Sequence, residues 1–174
     1  QTACLMMEAI QCEGGVRSAT PAFLKALRQL CDEKGLLLAF DEVQTGMGRT
    51  GDLFAHRRTG VTPDVMSLAK ALGGGFPIGA ILATADAAAG MGPGSHGSTF
   101  GGNPLAVAAA NAVLDVMLKP GFFDHVQKMS LLLKQKLASV IDRHGDVVSE
   151  VRGEGLLIGI KAVVPSGDLV AGLR

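Results

Sequence analysis

The chain has 174 residues, 48% of them hydrophobic and 18% charged, with 24 glycines; this suits a buried α/β sheet with many tight turns on a chain long enough to bury a core. Sixteen basic residues balance sixteen acidic ones for a formal charge of zero, which argues against nucleic acid or an anionic membrane surface as the partner. No apolar run approaches the ~20 residues of a spanning helix, and the stretch QTACLMMEAI lacks the basic start of a signal peptide, so a cytoplasmic protein is expected.

Residues 4–9 (CLMMEA) read as a strand and residues 10–19 as a glycine-containing loop. Thr20 and Pro21 form an N-cap with proline at the first helical position. Phe23, Leu24, Leu27, Leu30 and Cys31 follow at helical spacing, and Gly35 closes that helix. The run Leu36 to Phe40 is short and wholly apolar, so it reads as a buried parallel strand. Asp41 sits at its carboxyl end, where open α/β sheets place their ligands. Residues 45–52 form a loop with three glycines, and residues 53–58 one or two helical turns.

A second apolar run, Val65 to Ala69, follows a Thr-Pro-Asp turn and delivers Lys70 at its own carboxyl end, ahead of the glycine triplet 73–75. A strand over 79–83, a short helix capped by Thr84, and an irregular glycine-rich stretch over 90–102 come next. Asn103-Pro104 starts a long apolar helix that ends where Pro120-Gly121 breaks the pattern. Val126, Met129, Leu133, Leu137 and Val140 mark one face of a second long helix. Strands over 147–152 and 156–163 follow, separated by Gly153 and Gly155. We therefore expect part of a large α/β domain over 1–119 and the start of a small α+β domain over 120–174. A strand begins within a few residues of Gln1, and the sequence stops soon after another, so the chain is expected to be a piece of something longer. Cys4, Cys12 and Cys31 show neither CxxC pairing nor metal spacing and read as reduced thiols. The four histidines are scattered, and no metal is expected.

An acid and a lysine, both expected to be buried, at two strand ends of one sheet mark a site. A lysine there is costly unless its charge is paired or lost, and the competing reading is a side chain snorkelling to solvent at the sheet edge. Pyridoxal phosphate uses such a pair. It needs an amine to condense with its aldehyde, and a carboxylate to keep its ring nitrogen protonated so that the ring accepts electrons. LLLAFDE also looks like a Walker B strand ending in a magnesium-holding acid. However, no G-x-x-x-x-G-K-[ST] loop occurs in the chain, and Lys70 precedes its glycines instead of following them.

Three segments in order, FDEVQTGMGRTG, SLAKALGGGFPIGA and GSHGSTFGGNPLA, resemble the class III pyridoxal-phosphate-dependent aminotransferases. The resemblance runs from about Leu5 to Ile160, and its wording is most similar to the acetylornithine-handling members. It implies the large domain of a fold-type I pyridoxal enzyme plus the beginning of the small C-terminal domain. The activity implied is ping-pong transfer of the terminal amino group of N2-acetylornithine to 2-oxoglutarate. Ornithine, succinyldiaminopimelate and 4-aminobutyrate are the competing amines.

Carried over by residue, the resemblance makes Lys70 the cofactor-binding amine and general base, and sets Asp41 at the ring nitrogen. It places Val43 against the ring face and Gln44 at the phenolic oxygen. Glu42 belongs to the same turn, with a structural acid as its alternative role. Ser98 and Thr99 would lie in a loop crossing to the neighbouring subunit of a homodimer, Thr99 at the cofactor phosphate and Ser98 beside the substrate; without the resemblance this is a flexible loop. Glu13, in EAIQCEGG, matches an acid that pairs with a substrate-binding arginine. That stretch departs from the family at Ala9, where a proline is usual. It departs again at Cys12, which puts a side chain where a glycine is usual. The phosphate turn, the aromatic over the ring and the arginine for glutamate are expected from segments outside these residues. The 174 residues alone are therefore expected not to turn over, and a non-catalytic domain is the alternative of a different class.

Overall fold

The computed structural model describes residues 2–173. Its first elements are strands β1 (Cys4–Met7), β2 (Ile10–Gln11) and β3 (Arg17–Ser18), helix α1 (Pro21–Lys34) and strand β4 (Leu37–Asp41). Strands β5 (Val65–Leu68) and β6 (Ala80–Ala83), the short helix α2 (Ala85–Ala88), and helices α3 (Pro104–Met117) and α4 (Phe122–Arg143) follow. Strands β7 (Val148–Glu154) and β8 (Leu157–Ala162) and helix α5 (Ser166–Gly172) complete the order.

Local chemistry sets the helix ends. The Thr20 hydroxyl accepts the Phe23 N–H at 3.2 Å, and Gly35 ends α1 at φ 63°, a left-handed conformation that a glycine adopts without Cβ strain. Asn103 caps α3 in the same manner, its side-chain oxygen accepting the Ala106 N–H at 2.9 Å. Thr84 does so for α2 through the Ala87 N–H.

The main sheet has four strands in the order β1-β4-β5-β6. The first three are parallel and β6 is antiparallel to β5. One apolar cluster joins Leu24 and Cys31 of α1 to Leu38 and Phe40 of β4. A second joins Met66 and Leu68 of β5 to Ala110 and Met117 of α3. Among the described residues no single helix is long and apolar enough to cross a membrane.

Asp64, read from the sequence only as part of a turn, ties these layers together. Its Oδ2 accepts the Leu38 N–H and an Arg28 guanidinium N–H, both at 2.7 Å. Its own N–H donates to the Leu38 carbonyl at 2.8 Å, and its carbonyl accepts the Thr84 N–H at 2.9 Å. One residue thereby fixes α1, the start of β4 and the end of β6.

Three elements depart from the sequence reading. The stretch 10–19, expected as a loop, holds the β2–β3 hairpin, with Ile10 opposite Ser18 and Gln11 opposite Arg17; two-residue strands are too short to show alternation. Gly153 lies inside β7 instead of between strands; at φ 111° its Cα faces the Leu157 carbonyl so closely that a Cβ would collide with it. Helix α5 was not anticipated.

The β7–β8 turn docks on the loop after β4. The Leu156 N–H donates to the Arg49 carbonyl at 2.9 Å, and Gln127 of α4 donates to the Gly51 carbonyl at 3.0 Å. Gly155, at φ 56°, presses its backbone against Thr50 and Arg49 with no room for a side chain.

Burial works to raise the Asp64 pKa, but the Leu38 N–H and Arg28 hold it below the usual carboxylate value. The stability it contributes is therefore present above the unfolded value of about 3.9 and is lost as pH falls through the lower folded value. Asp64→Ala is expected to destabilise by about 1–3 kcal/mol at neutral pH by leaving the buried Leu38 N–H unpaired. Urea denaturation should show that deficit shrinking well below pH 4; a deficit of the same size in acid would contradict this account.

Candidate active site

Strands β4 and β5 run parallel with Asp41 opposite Ser67, so the residues that follow them emerge at the same end of the sheet. This brings Asp41 and Lys70 to neighbouring strand ends. Past Leu68 the backbone turns sharply, because Lys70 is left-handed at φ 47° and opens a 3-10 turn, Lys70–Gly73. The turn ends at Gly74, φ 59°, against the Val113 side chain of α3. The Lys70 side chain is thereby delivered to a cleft of about 850 Å³, which it lines with Val43, Gln44, Arg49, Phe76 and Leu157.

The expected burial of the pair is corrected here. Lys70 is exposed and Asp41 half-buried. The left-handed kink takes the lysine off the line of the strand and into the lining of the cleft. Among the described residues no ion pair joins Lys70 to Asp41.

The Asp41 carboxylate is oriented by two donors on one oxygen. Oδ1 accepts the Val43 N–H at 2.9 Å and the Ser67 hydroxyl at 3.1 Å. Oδ2 accepts no hydrogen bond among the described residues. The neighbouring acid, Glu42, has the opposite fate. At 1% exposure it accepts the Thr45 hydroxyl at 2.7 Å, the Ala55 N–H at 2.8 Å, the His56 N–H at 2.9 Å and the His56 ring Nδ1 at 3.0 Å. Burial pushes its pKa up, but the bonds from His56, Ala55 and Thr45 together hold it below the ordinary glutamate value. Its carboxylate is spent on closing the loop from Glu42 to His56, the structural role weighed for it in the sequence. Phe54 stacks on the His56 ring at 5.7 Å.

The β2–β3 turn lies within electrostatic reach of the pair. Burial pushes the Cys12 thiol pKa up and Glu8 adds to this, while Lys70 acts in the opposite direction. The Cys12 N–H is held by the Glu8 carboxylate at 3.0 Å. Glu13 is exposed in that turn, and Ser98 and Thr99 are exposed in the stretch before α3; none of the three lines the cleft around Lys70. Sequence reasoning missed Ser67, Arg49 and the Glu42–His56 contact. A hydroxyl in the otherwise apolar β5 was the one available signal for Ser67.

The family "Aminotransferase class-III" matches residues 1–170 of the chain. The chain belongs to that family. It is 95% identical over 174 residues to acetylornithine aminotransferase 1 of Bradyrhizobium diazoefficiens, and covers 43% of that protein. It is 60% identical to the acetylornithine aminotransferase of Agrobacterium fabrum, covering 44% of it. The chain thus spans less than half the length of these curated relatives. Among solved structures, the N-acetylornithine aminotransferase of Stenotrophomonas maltophilia superposes with a TM-score of 0.80 at 45% identity, over 95% of this chain and 42% of that one. The ornithine aminotransferase of Toxoplasma gondii gives 0.89 at 38% identity, over 97% and 41%.

Class III aminotransferases depend on pyridoxal phosphate, and the mostly parallel sheet with flanking helices is the fold-type I arrangement. Membership of the class removes the nucleotide-binding alternative for Asp41. The residues at the site suit the cofactor at its ring end: a lysine amine at the cleft, a carboxylate with one oxygen unpartnered among the described residues, an amide at Gln44 and an apolar Val43.

Glu42→Gln keeps the shape but points an amide NH2 at hydrogen-bond donors. We expect a loss of about 2–3 kcal/mol from the buried donors left unpaired, and faster amide exchange at Ala55 and His56. Unchanged protection at those two amides would rule out the loop-closing role. In the parent chain the carboxylate contribution is lost only as pH falls through the depressed folded pKa.

Proposed function

We propose that the protein carrying this chain is a pyridoxal-phosphate-dependent acetylornithine aminotransferase, passing the terminal amino group of N2-acetylornithine to 2-oxoglutarate. The observation that carries the reaction class is the placement of Lys70 and Asp41 on the carboxyl ends of two paired parallel strands. The 95% identity to acetylornithine aminotransferase 1 of Bradyrhizobium diazoefficiens favours the substrate.

When bound, the cofactor supplies an aldehyde for amines and a ring that withdraws electrons from the carbon bearing them. The chain's own residues do the rest. Lys70 Nζ would hold the cofactor through its aldehyde and, as a free amine, would be the base that accepts the proton from the donor carbon and returns it to the cofactor-linked carbon of the same adduct. Asp41, with Oδ2 free, holds the positive charge of the ring nitrogen. Val43 supplies an apolar contact to the ring, and the Gln44 amide donates to the ring oxygen. In the same reading Thr99 donates to the phosphate of the neighbouring active site, Ser98 borders the substrate there, and Glu13 pairs with a substrate-binding arginine. The protein is then a homodimer, acting in the cytoplasm, with its domain division near residue 120.

In the full-length protein, Lys70→Ala is expected to abolish turnover and the covalent cofactor retained after borohydride reduction. Retention on another lysine, found by peptide mass mapping, would sink the assignment. Asp41→Asn should lower kcat by about 10²-fold or more, ~2.7 kcal/mol of barrier. A coupled glutamate assay should rank acetylornithine above ornithine, succinyldiaminopimelate and 4-aminobutyrate; a preference for one of the other three would replace the substrate while leaving the reaction class intact.

A further inference from the structure

We propose that Ser67 is the positioning residue for Asp41: its hydroxyl locks the carboxylate so that Oδ2 alone is presented to the cofactor nitrogen. This rests on the reading of Asp41 given above. Ser67 is the register partner of Asp41 across β4 and β5. Its Oγ donates to Asp41 Oδ1 at 3.1 Å, and the Val43 N–H donates to the same oxygen at 2.9 Å.

One donor leaves a carboxylate free to pivot, because its terminal torsion is broad and two-fold. A second donor, from a different strand, defines the plane. Both donors fall on Oδ1, so the opposite oxygen is left unpartnered among the described residues and its direction is set. Such orientation matters because an electrostatic contact is worth most when it is arranged before the reaction and needs no reorganisation during it.

Ser67 is half-buried on β5, and Asp41 supplies the acceptor for its hydroxyl. The Ser67 backbone is held independently, its carbonyl accepting the Glu42 N–H at 3.0 Å. Removing the hydroxyl therefore leaves the β4–β5 pairing in place and frees only the Asp41 carboxylate.

The test is a double-mutant cycle in the full-length holoenzyme: wild type, Ser67→Ala, Asp41→Asn and the double variant, with Ser67→Thr as the conservative rescue. Cofactor dissociation constants, the absorption band of the bound cofactor, kcat and KM are measured on each. Ser67→Ala is expected to weaken cofactor binding and lower kcat by about tenfold, the size of one hydrogen bond to a charged group, with KM little changed and the absorption band displaced. Ser67→Thr should restore all of these to within about twofold. In the Asp41→Asn background the Ser67→Ala effect should vanish, because the two act as one unit. A full-size effect in that background, or wild-type affinity and spectrum in Ser67→Ala, overturns the positioning role. Asp41→Asn with wild-type cofactor affinity and spectrum is a different failure: it overturns the assignment of Asp41 itself, and this inference with it. Should Ser67→Ala not fold, Ser67→Cys, similar in shape and a weaker donor, takes its place with the same opposing outcomes.

Discussion

Glu42 holds a charge at 1% exposure with four hydrogen bonds and no permanent cation beside it. Removing a carboxylate from water costs several kcal/mol even after relaxation, so this burial persists only because the bonds leave its oxygens well satisfied. What it secures is the loop from Glu42 to His56, in which Val43, Gln44 and Arg49 line one side of the cleft. The same loop receives the β7–β8 turn through the Arg49 carbonyl and the crowded Gly155 backbone. The cleft wall and the seat of the C-terminal hairpin thus depend on one acid. Its neighbour Asp41, one residue earlier, keeps Oδ2 without a hydrogen bond among the described residues.

The parts of this arrangement legible in the sequence were those written locally. Thr20, Thr84 and Asn103 announced their helices because caps act within three residues, and each accepts the expected backbone N–H. The apolar runs ending in Asp41 and before Lys70 were readable as strands because they are too short for a core helix and are bounded by Gly35 and by the Thr62-Pro63-Asp64 turn. The family resemblance covered the chain and agrees with the family match over residues 1–170. What stayed hidden depends on closure in space. Neither the exposure of Lys70, the link from Glu42 to His56, nor the grip of Asp64 on α1 and β4 has a local signature. The resemblance could name Ser98, Thr99 and Glu13, but their place in a site rests on neighbours that this chain does not bring to its own cleft.

The surface carries the same message in a different form. Met6 on β1 is 64% exposed, Ile81 on β6 74% and Phe100, in the stretch before α3, 81%. β1 and β6 are the two edges of the main sheet among the described residues, and the chain spans less than half of its curated relatives, so this apolar exposure belongs to the chain on its own. Leu105 and Leu118, at either end of α3, add to it at 66% and 60%.

The backbone at Lys70 sets the last constraint. A left-handed conformation costs an ordinary residue on the order of 1–3 kcal/mol, and at φ 47° Lys70 has it without being glycine. A glycine would relieve the strain but would carry no amine. The cost is sustained because the 3-10 turn that Lys70 opens is fixed at both ends, by β5 on one side and by Gly74 against Val113 on the other. On the proposal that Lys70 is the cofactor-holding amine, a mobile loop would avoid the strain yet lose a defined direction relative to Asp41, and positioning of reacting groups is worth ~7–11 kcal/mol of barrier when the geometry is right. The strained turn costs a small fraction of that, so the balance favours keeping lysine in a conformation that its side chain alone would not choose.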